Sequence, residues 1–157
     1  MKFDKLVASI QNTHDGLQRA AVKAVNKSLT VRNWLIGLYI VEFEQNGQDR
    51  AKYGERLLPE LAASVKIRGL SETNLRLCRQ FYTTYPHIAP AIKSSLEHID
   101  FHLNGIHQSA TDEFKTALIQ PEKLLANLSF SHFSELMTIT DIHKRTFSEM
   151  ETIKCGL

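Results

Sequence analysis

Basic and amide side chains are concentrated between residues 66 and 82. Four bases occur there against a single acid, Glu72: Lys66, Arg68, Arg76 and Arg79. Arginine pairs with guanine edges or with phosphates, and a glutamine such as Gln80 pairs with adenine. A helix N-terminus at the same place would add a phosphate-binding position. This set of residue types predicts contact with DNA, provided that the side chains lie on the open side of a helix.

A turn followed by an amphipathic helix would position these side chains. Gly69 suits a tight turn, and Ser71 is a good N-cap for a helix that begins near Glu72 and ends near residue 84. At about 100° per residue, the apolar side chains share one face: Leu75, Cys78, Phe81, Tyr82 and Tyr85. The opposite face carries polar side chains: Thr73, Arg76, Gln80 and Thr83.

An apolar helix that ends near Lys66 would complete a helix-turn-helix in spacing, over residues of about 52–84. The alternative is plain packing, because any surface helix turns its polar side chains outward. On the DNA-binding hypothesis, seven residues contact the DNA: Lys66, Arg68, Ser71, Thr73, Arg76, Arg79 and Gln80.

A second basic stripe lies further towards the N-terminus. Arg19, Lys23 and Lys27 are spaced by four and share one face of a predicted helix. Such a stripe can follow a phosphate backbone, with each contact adding salt dependence to binding. An ordinary solvated helix face has the same pattern and is the favoured interpretation here.

Two patterns imitate catalytic or metal sites. Asp100 with "EFK" at Glu113 to Lys115 has the letters of a D…ExK nuclease site, in which carboxylates hold a divalent cation. Such a site needs adjacent strands, and nothing in this region predicts a strand pair. His98, His102 and His107 have spacings that would suit a metal only on a regular helix. We therefore predict no catalytic residue, no metal site and no cofactor.

The whole-chain composition is that of a water-soluble protein with one core. The 157 residues are 43% hydrophobic and 23% charged, and the net charge is only +2, so the total charge does not indicate a nucleic-acid partner. The apolar run from Trp34 to Phe43 is too short for a bilayer span. Neither a membrane association nor a secretory signal is predicted, and we expect a cytoplasmic protein of one domain over residues 1–157.

The fold class predicted from apolar spacing is all-α, a multi-helix bundle. Helices are expected near residues 3–12, 16–45, 52–65, 72–84, 121–127, 131–138 and 141–154, with weaker helical turns over 88–118. Pro59 requires the third helix either to kink or to begin there. Residues 86–120 have no firm periodicity and are expected to form a loose connector.

A protein-interaction or oligomerisation module is the alternative function. On this hypothesis the long second helix presents an apolar strip, Leu35, Leu38 and Phe43, to a partner subunit or to a second copy in a homo-oligomer. Trp34 would be its anchor, as aromatic residues often are at interfaces.

Several segments together resemble a known bacterial family. They are "NWLIGLYIVEFEQNGQDRAKYGERLLPELA" at 33–62, "RGLSETNLRLCRQFYTTYP" at 68–86 and "LSFSHFSELMTITDIHKRTFSEMETIK" at 128–154. The chain is similar, over about three quarters of its length, to the N-terminal domain of the YhcG-type proteins. The most specific pieces are the "IG" at Ile36 and Gly37, the "YG" at Tyr53 and Gly54, and "GLSETNL" from Gly69 to Leu75.

The resemblance implies a helical domain that targets DNA and precedes a nuclease domain of the PD-(D/E)xK class. The nuclease activity would then reside in that C-terminal domain, whose catalytic residues are expected to be missing from these 157 residues. The implied partners are duplex DNA and the PD-(D/E)xK nuclease domain.

Overall fold

The computed structural model describes residues 2–47, 50–98 and 119–155, and within them every regular element is helical, with no strand. The α-helices are α1 (Phe3–Asn46), α2 (Arg50–Tyr53), α3 (Leu57–Val65), α4 (Glu72–Thr84), α5 (Ala89–His98), α6 (Pro121–Asn127), α7 (Phe130–Leu136) and α8 (Ile142–Lys154). Short 3-10 turns occupy Gly54–Arg56 and Pro86–Ile88. The all-α prediction is confirmed.

Helix α1 is a single helix of 44 residues, so the prediction of two helices with a break between 12 and 16 is wrong. The polar residues that suggested a break are accommodated within the helix. The Thr13 hydroxyl donates to the Ser9 carbonyl at 2.7 Å. Gly16 costs about 1 kcal/mol relative to alanine in a helix interior, which is too little by itself to end the helix.

The two halves of α1 have different surroundings. Nearly all side chains from Phe3 to Leu29 are exposed, a segment that we call the arm. From Thr30 onward the helix enters the core, where Val31, Trp34 and Leu35 are buried. The second half of α1 is therefore the central element of the packed part of the molecule, which we call the body.

Helix α4 packs along the second half of α1 at close range. Gly37 makes this possible, since a Cβ atom at that position would overlap the backbone carbonyl of Cys78. Nearby, the Trp34 indole Nε1 donates to the Tyr85 carbonyl at 2.9 Å. This buried hydrogen bond satisfies the polar atom of the largest side chain in the core and fixes the end of α4 against α1.

An aromatic cluster joins α4 to the C-terminal helices. The Phe81 ring lies 4.7 Å from the Phe133 ring and 5.5 Å from the Phe130 ring, measured between centroids. The Tyr85 ring contacts Phe133 edge to face at 5.0 Å. Phe81, Tyr85 and Phe133 are fully buried, so these contacts hold α7 against the α1–α4 pair.

Pro59 lies in the first turn of a helix rather than in its interior. Helix α3 begins at Leu57, after the 3-10 turn Gly54–Arg56, and in the first turn a proline gives up no intrahelical hydrogen bond. The single helix predicted over 52–65 is therefore divided, because Gly54 adopts a positive φ of 50°. Of the two alternatives for Pro59, the structure shows the helix start.

The predicted connector begins with ordered structure. Residues 86–98 form a 3-10 turn and helix α5, and Ile88 and Ile92 are completely buried. Residues 99–118 lie outside the described residues. The connector beyond α5 and the single-domain organisation therefore stay predictions.

The last three helices agree with the sequence to within two residues. The starts of α7 and α8 are marked by capping side chains. Ser129 and His132 form a reciprocal capping box at α7, and Asp141 accepts from the backbone amides of His143 and Lys144 at α8. In the described part of the chain, no helix is both long enough and apolar enough to cross a bilayer.

Candidate nucleic-acid interface

The connection between α3 and α4 turns sharply and exposes its basic residues. Lys66 ends α3 in the left-handed conformation with φ 51°, and Gly69 follows with φ 90°. Between them the Leu70 amide donates to the Ile67 carbonyl at 3.1 Å, and the Leu70 side chain is buried. Because Leu70 fixes the turn to the body, the exposed side chains of Lys66 and Arg68 start from an ordered backbone.

Helix α4 begins as the sequence predicted. The Ser71 hydroxyl accepts from the Asn74 amide at 3.2 Å, and the Asn74 side-chain amide donates to the Gly69 carbonyl. The cap therefore links the turn to the first turn of the helix. The Ser71 hydroxyl proton is not used by the cap and can still be donated to a ligand.

The two faces of α4 are also those predicted. Leu75, Cys78 and Phe81 are buried. Thr73, Arg76 and Gln80 are exposed, and Arg79 is half-buried on the flank. All seven predicted contact residues are thus at the surface, along one edge of the molecule that we call the α4 edge: Lys66, Arg68, Ser71, Thr73, Arg76, Arg79 and Gln80.

Two of the four bases of the α4 edge form ion pairs. Arg76 Nη2 lies 2.8 Å from Glu72 Oε1, one turn away on the same helix. Arg79 Nη1 lies 2.9 Å from Glu44 Oε2, which α1 contributes. The four side chains retain between 37% and 57% of their exposure. Ion pairs this open to water contribute about 0–1 kcal/mol, so an incoming phosphate can compete with either carboxylate.

The other two bases of the α4 edge, Lys66 and Arg68, are more available to bind a phosphate. Neither Lys66 nor Arg68 has a carboxylate within ion-pair distance among residues 2–47, 50–98 and 119–155. The role of Glu44 was not foreseen, because it depends on the packing of α1 against α4 and no local pattern encodes it. The only signal in the sequence was the position of Glu44 on α1, one or two turns after Gly37, where α1 packs closely against α4.

The arrangement of α3 and α4 does not by itself establish a helix-turn-helix. Six residues, 66–71, separate the two helices, whereas the motif usually has a turn of about 3–4 residues. Helix α4 also packs mainly on α1 rather than on α3. The helix-turn-helix-like unit at 52–84 therefore stays a prediction.

A second cationic surface lies in an open groove of about 670 Å³ between the arm and helices α6 and α7. Arg19, Lys23 and Lys27 line it together with one acid, Asp15. The opposite wall is formed mainly by polar and small residues of the α6–α7 connection, including Asn127, Ser129 and His132. The basic stripe thus faces the body across a groove, which the sequence pattern alone did not indicate.

The patterns that imitated catalytic sites receive no support from the described residues. No group of three or more side chains of the metal-binding types comes together in the ranges that the structure covers. His98 is exposed at the end of α5. Asp100, His102, His107 and the Glu113 to Lys115 segment lie outside the described residues.

The surroundings of the buried ionisable groups indicate structural roles. Burial raises the pKa of the Cys78 thiol to about 11, which keeps it protonated and unreactive near neutral pH. Tyr85 donates its hydroxyl to Glu149 Oε1 at 3.4 Å. Burial raises the pKa of the Glu149 carboxyl, and the nearby Arg145 guanidinium partly offsets this.

Comparison with known proteins assigns the chain to a family. The family model described as the DUF1016 N-terminal domain matches residues 9–157. This chain belongs to that family. The resemblance inferred from the sequence is confirmed, and the Gly37 contact and the Ser71 cap lie within two of its most specific segments.

A curated relative in Escherichia coli (strain K12), named "Putative nuclease YhcG", is 34% identical over 163 aligned positions. The alignment covers 95% of this chain and 42% of that relative, so the chain spans less than half the relative's length. No solved structure matches the chain.

Proposed function

We propose that this DUF1016 N-terminal domain is a non-catalytic DNA-targeting module of a YhcG-type nuclease system. In this proposal the α4 edge binds duplex DNA in the bacterial cytoplasm. The cleavage chemistry belongs to a PD-(D/E)xK domain with which the module is associated. The observation that carries the proposal is the clustering of four bases on one ordered, solvent-exposed edge.

The geometry of the α4 edge supports a division of roles. Thr73, Arg76 and Gln80 project from the outer face of α4, where a groove would meet them, and they are assigned to bases. Lys66 and Arg68 in the turn, with Arg79 on the flank, are assigned to phosphates. Ser71, at the N-terminus of a 13-residue helix, adds a hydroxyl donor beside the backbone amides of the first turn.

The electrostatics of the edge suit a polyanion more than a neutral partner. Glu72 and Glu44 each pair with one guanidinium group near the surface. When an arginine exchanges its carboxylate partner for a DNA phosphate, condensed counterions are released from the DNA. This release adds a salt-dependent contribution to the binding free energy that the internal ion pair does not have. Because both ion pairs are open to water, DNA phosphates can displace the two acids from the arginines.

The test is the affinity of the chain for a fluorescein-labelled duplex of mixed sequence, measured by fluorescence anisotropy at low salt. The double variant Arg76→Ala/Arg79→Ala should bind at least about tenfold more weakly, since two charged contacts to DNA are lost. A matched control is Lys93→Ala/Lys144→Ala. It removes the same charge from exposed positions on α5 and α8 and should change the affinity little.

Equal losses in the two double variants would indicate a response to net charge alone and would contradict an assignment to the α4 edge. No measurable binding by the unmodified chain would remove the DNA-targeting role altogether.

A further inference from the structure

The arm of α1 is a long amphipathic helix whose apolar side nothing in the described structure covers. Phe3, Ile10, Leu17 and Val25 are each 58–75% exposed. Leu6, Val7, Val22 and Leu29 are also exposed large hydrophobics. Monomeric proteins seldom expose contiguous apolar patches larger than a few hundred Å², and a long helix obtains most of its stability from packing. The arm therefore needs a partner surface.

One uncharged face of the arm follows a seven-residue repeat, which Leu6 and Val25 flank, whereas Val22 and Leu29 lie outside it. Spacings of four and three alternate along one face, through Phe3, Val7, Ile10, His14, Leu17, Ala21, Ala24 and Ser28. This is the periodicity of a helix that pairs with another helix along its length. None of these positions carries a formal charge. At about 100° per residue, the charged side chains of the arm lie at least about 100° from the centre of this face: Asp4, Lys5, Asp15, Arg19, Lys23 and Lys27.

The sizes of these side chains indicate how a second helix would be oriented against this face. The first half of the face carries mostly large residues, and the second half carries small ones, Ala21, Ala24 and Ser28. Two arms aligned in parallel would place large residues against large and leave the small positions facing each other. Two antiparallel arms would place the large residues Phe3, Val7 and Ile10 against small ones and set Leu17 against His14 at the centre, so that the two faces interdigitate.

We propose that the arm pairs with the arm of a second copy of this chain in an antiparallel two-helix contact. The register that matches the sizes sets Phe3 against the partner's Ser28, Val7 against the partner's Ala24, and Ile10 against the partner's Ala21. The two-fold axis then passes between Asp15 and Gly16. This dimer does not rest on the DNA-targeting proposal.

The fold leaves room for this pairing. The arm is roughly 40 Å long at 1.5 Å per residue, a length that allows an interface of about 800 Å² per partner, the size typical of stable complexes. In the proposed register the N-terminal end of the arm lies beside the partner's Ser28, two positions before the first helix residue that is buried in the body, Thr30. In an antiparallel pair the two bodies lie at opposite ends of the paired arms. The face of the arm continues in phase onto Val31 and Leu35, which are buried in the body, so the helix contact ends at Ser28.

Light scattering coupled to gel filtration tests the association. The unmodified chain should have twice the chain mass, and Ile10→Glu/Leu17→Glu should have the mass of one chain. The matched control is Ala8→Glu/Asn12→Glu, which adds the same charge to exposed positions on the opposite side of the arm and should stay dimeric. Trp34 is the only tryptophan and lies in the body, so its emission reports whether each variant keeps its core.

Cysteine cross-linking tests the orientation, in a background where the exposed Cys155 is replaced by serine. The pair Val7→Cys/Ala24→Cys should form a disulfide-linked dimer under mild oxidation. Val7→Cys alone should not, because antiparallel arms separate the two copies of position 7 by roughly 25 Å. Cross-linking through Val7→Cys alone would overturn the antiparallel register.

A monomeric mass for the unmodified chain at high concentration would overturn the dimer itself. So would a dimer that survives Ile10→Glu/Leu17→Glu with an intact tryptophan signal. Binding of a monomeric chain to vesicles of neutral and anionic phospholipid would assign the apolar face to a lipid surface instead.

Discussion

Gly37 is the residue on which the packing of α1 against α4 depends most directly. A methyl group there would overlap the Cys78 carbonyl and crowd the Tyr82 Cβ at 2.9 Å. Neither neighbour can move without separating the helices, because both belong to the backbone or begin a side chain. We predict that Gly37→Ala lowers the free energy of unfolding by about 3 kcal/mol, measured by urea denaturation followed by Trp34 fluorescence.

Gly16→Ala is the matched control on the same helix. A Cβ atom at Gly16 meets nothing within 4 Å, and alanine is favoured over glycine in a helix by about 0.5–1 kcal/mol. The variant should therefore gain helicity or stability by circular dichroism. A similar loss in both glycine variants would contradict the assignment of the Gly37 effect to close packing.

Glu149 should make the stability of the protein depend on pH in an unusual direction. Burial raises the pKa of its carboxyl above the ordinary value of 4.5, so the unfolded chain releases this proton at a lower pH than the folded chain does. Stability is therefore lost as the pH rises between the two values. Glu149→Gln keeps an oxygen that can accept from Tyr85 and removes the charge. It should be more stable than the unmodified chain at about pH 7, and the gain should vanish below about pH 4.

Thermal unfolding of both proteins across that pH range provides the measurement. A constant difference at all pH values would show that the effect comes from packing and not from ionisation of Glu149.

Removal of the two carboxylates that pair with Arg76 and Arg79 should have the opposite effect on DNA affinity from removal of the arginines. Glu44→Gln/Glu72→Gln frees Arg79 and Arg76 from their ion pairs and removes two negative charges from the surface. If the α4 edge binds DNA, the affinity in anisotropy should rise severalfold. A lower or unchanged affinity would mean that the acids orient the arginines rather than compete for them, or that DNA binds elsewhere.

At the scale of elements, the start of α4 depends on one hydroxyl. Ser71→Ala removes the acceptor for the Asn74 amide and should cost about 1 kcal/mol of stability. Ser94→Ala, at an exposed position within α5, is the matched control. It should be neutral or slightly stabilising, because alanine is the better helix former. Equal effects in thermal denaturation would contradict the capping role of Ser71.

The elements that the sequence predicted well have local signals. Helices α4 and α6 agree with their predicted bounds to the residue. Ser71 after Gly69 predicts the start of α4, and in the structure Pro121 occupies the first position of α6, where a proline is favoured. The break expected in α1 is wrong, because the helix continues through the polar residues between positions 12 and 16. Helix α5 was underestimated, because its burial depends on contacts with distant helices that periodicity does not reveal.

At the scale of the whole molecule, α1 connects a packed body to an exposed arm. The surface exposure of Thr73, Arg76 and Gln80 could be predicted from the phase of α4 alone. The partner of Arg79 could not, since Glu44 is 35 residues away in sequence.

Part of the strip proposed for a protein partner is buried in the body. Trp34 and Leu35 are core residues, 1% and 7% exposed, and Trp34 cannot serve as an anchor for a partner. The large apolar residues that α1 exposes in the described chain lie mainly in the arm. Hydrophobicity alone does not distinguish these two sets, because only the tertiary contacts with α4 and α7 cover the second half of the helix.

The most direct test of the DNA-targeting proposal is the salt dependence of duplex binding by the unmodified chain and by Lys66→Ala/Arg68→Ala/Arg76→Ala/Arg79→Ala. Each phosphate contact contributes about 0.9 to the slope of log affinity against log salt concentration. We predict weaker binding by the variant and a slope that is shallower by about 2 to 4. An identical slope and affinity in the two proteins would show that DNA does not meet the α4 edge.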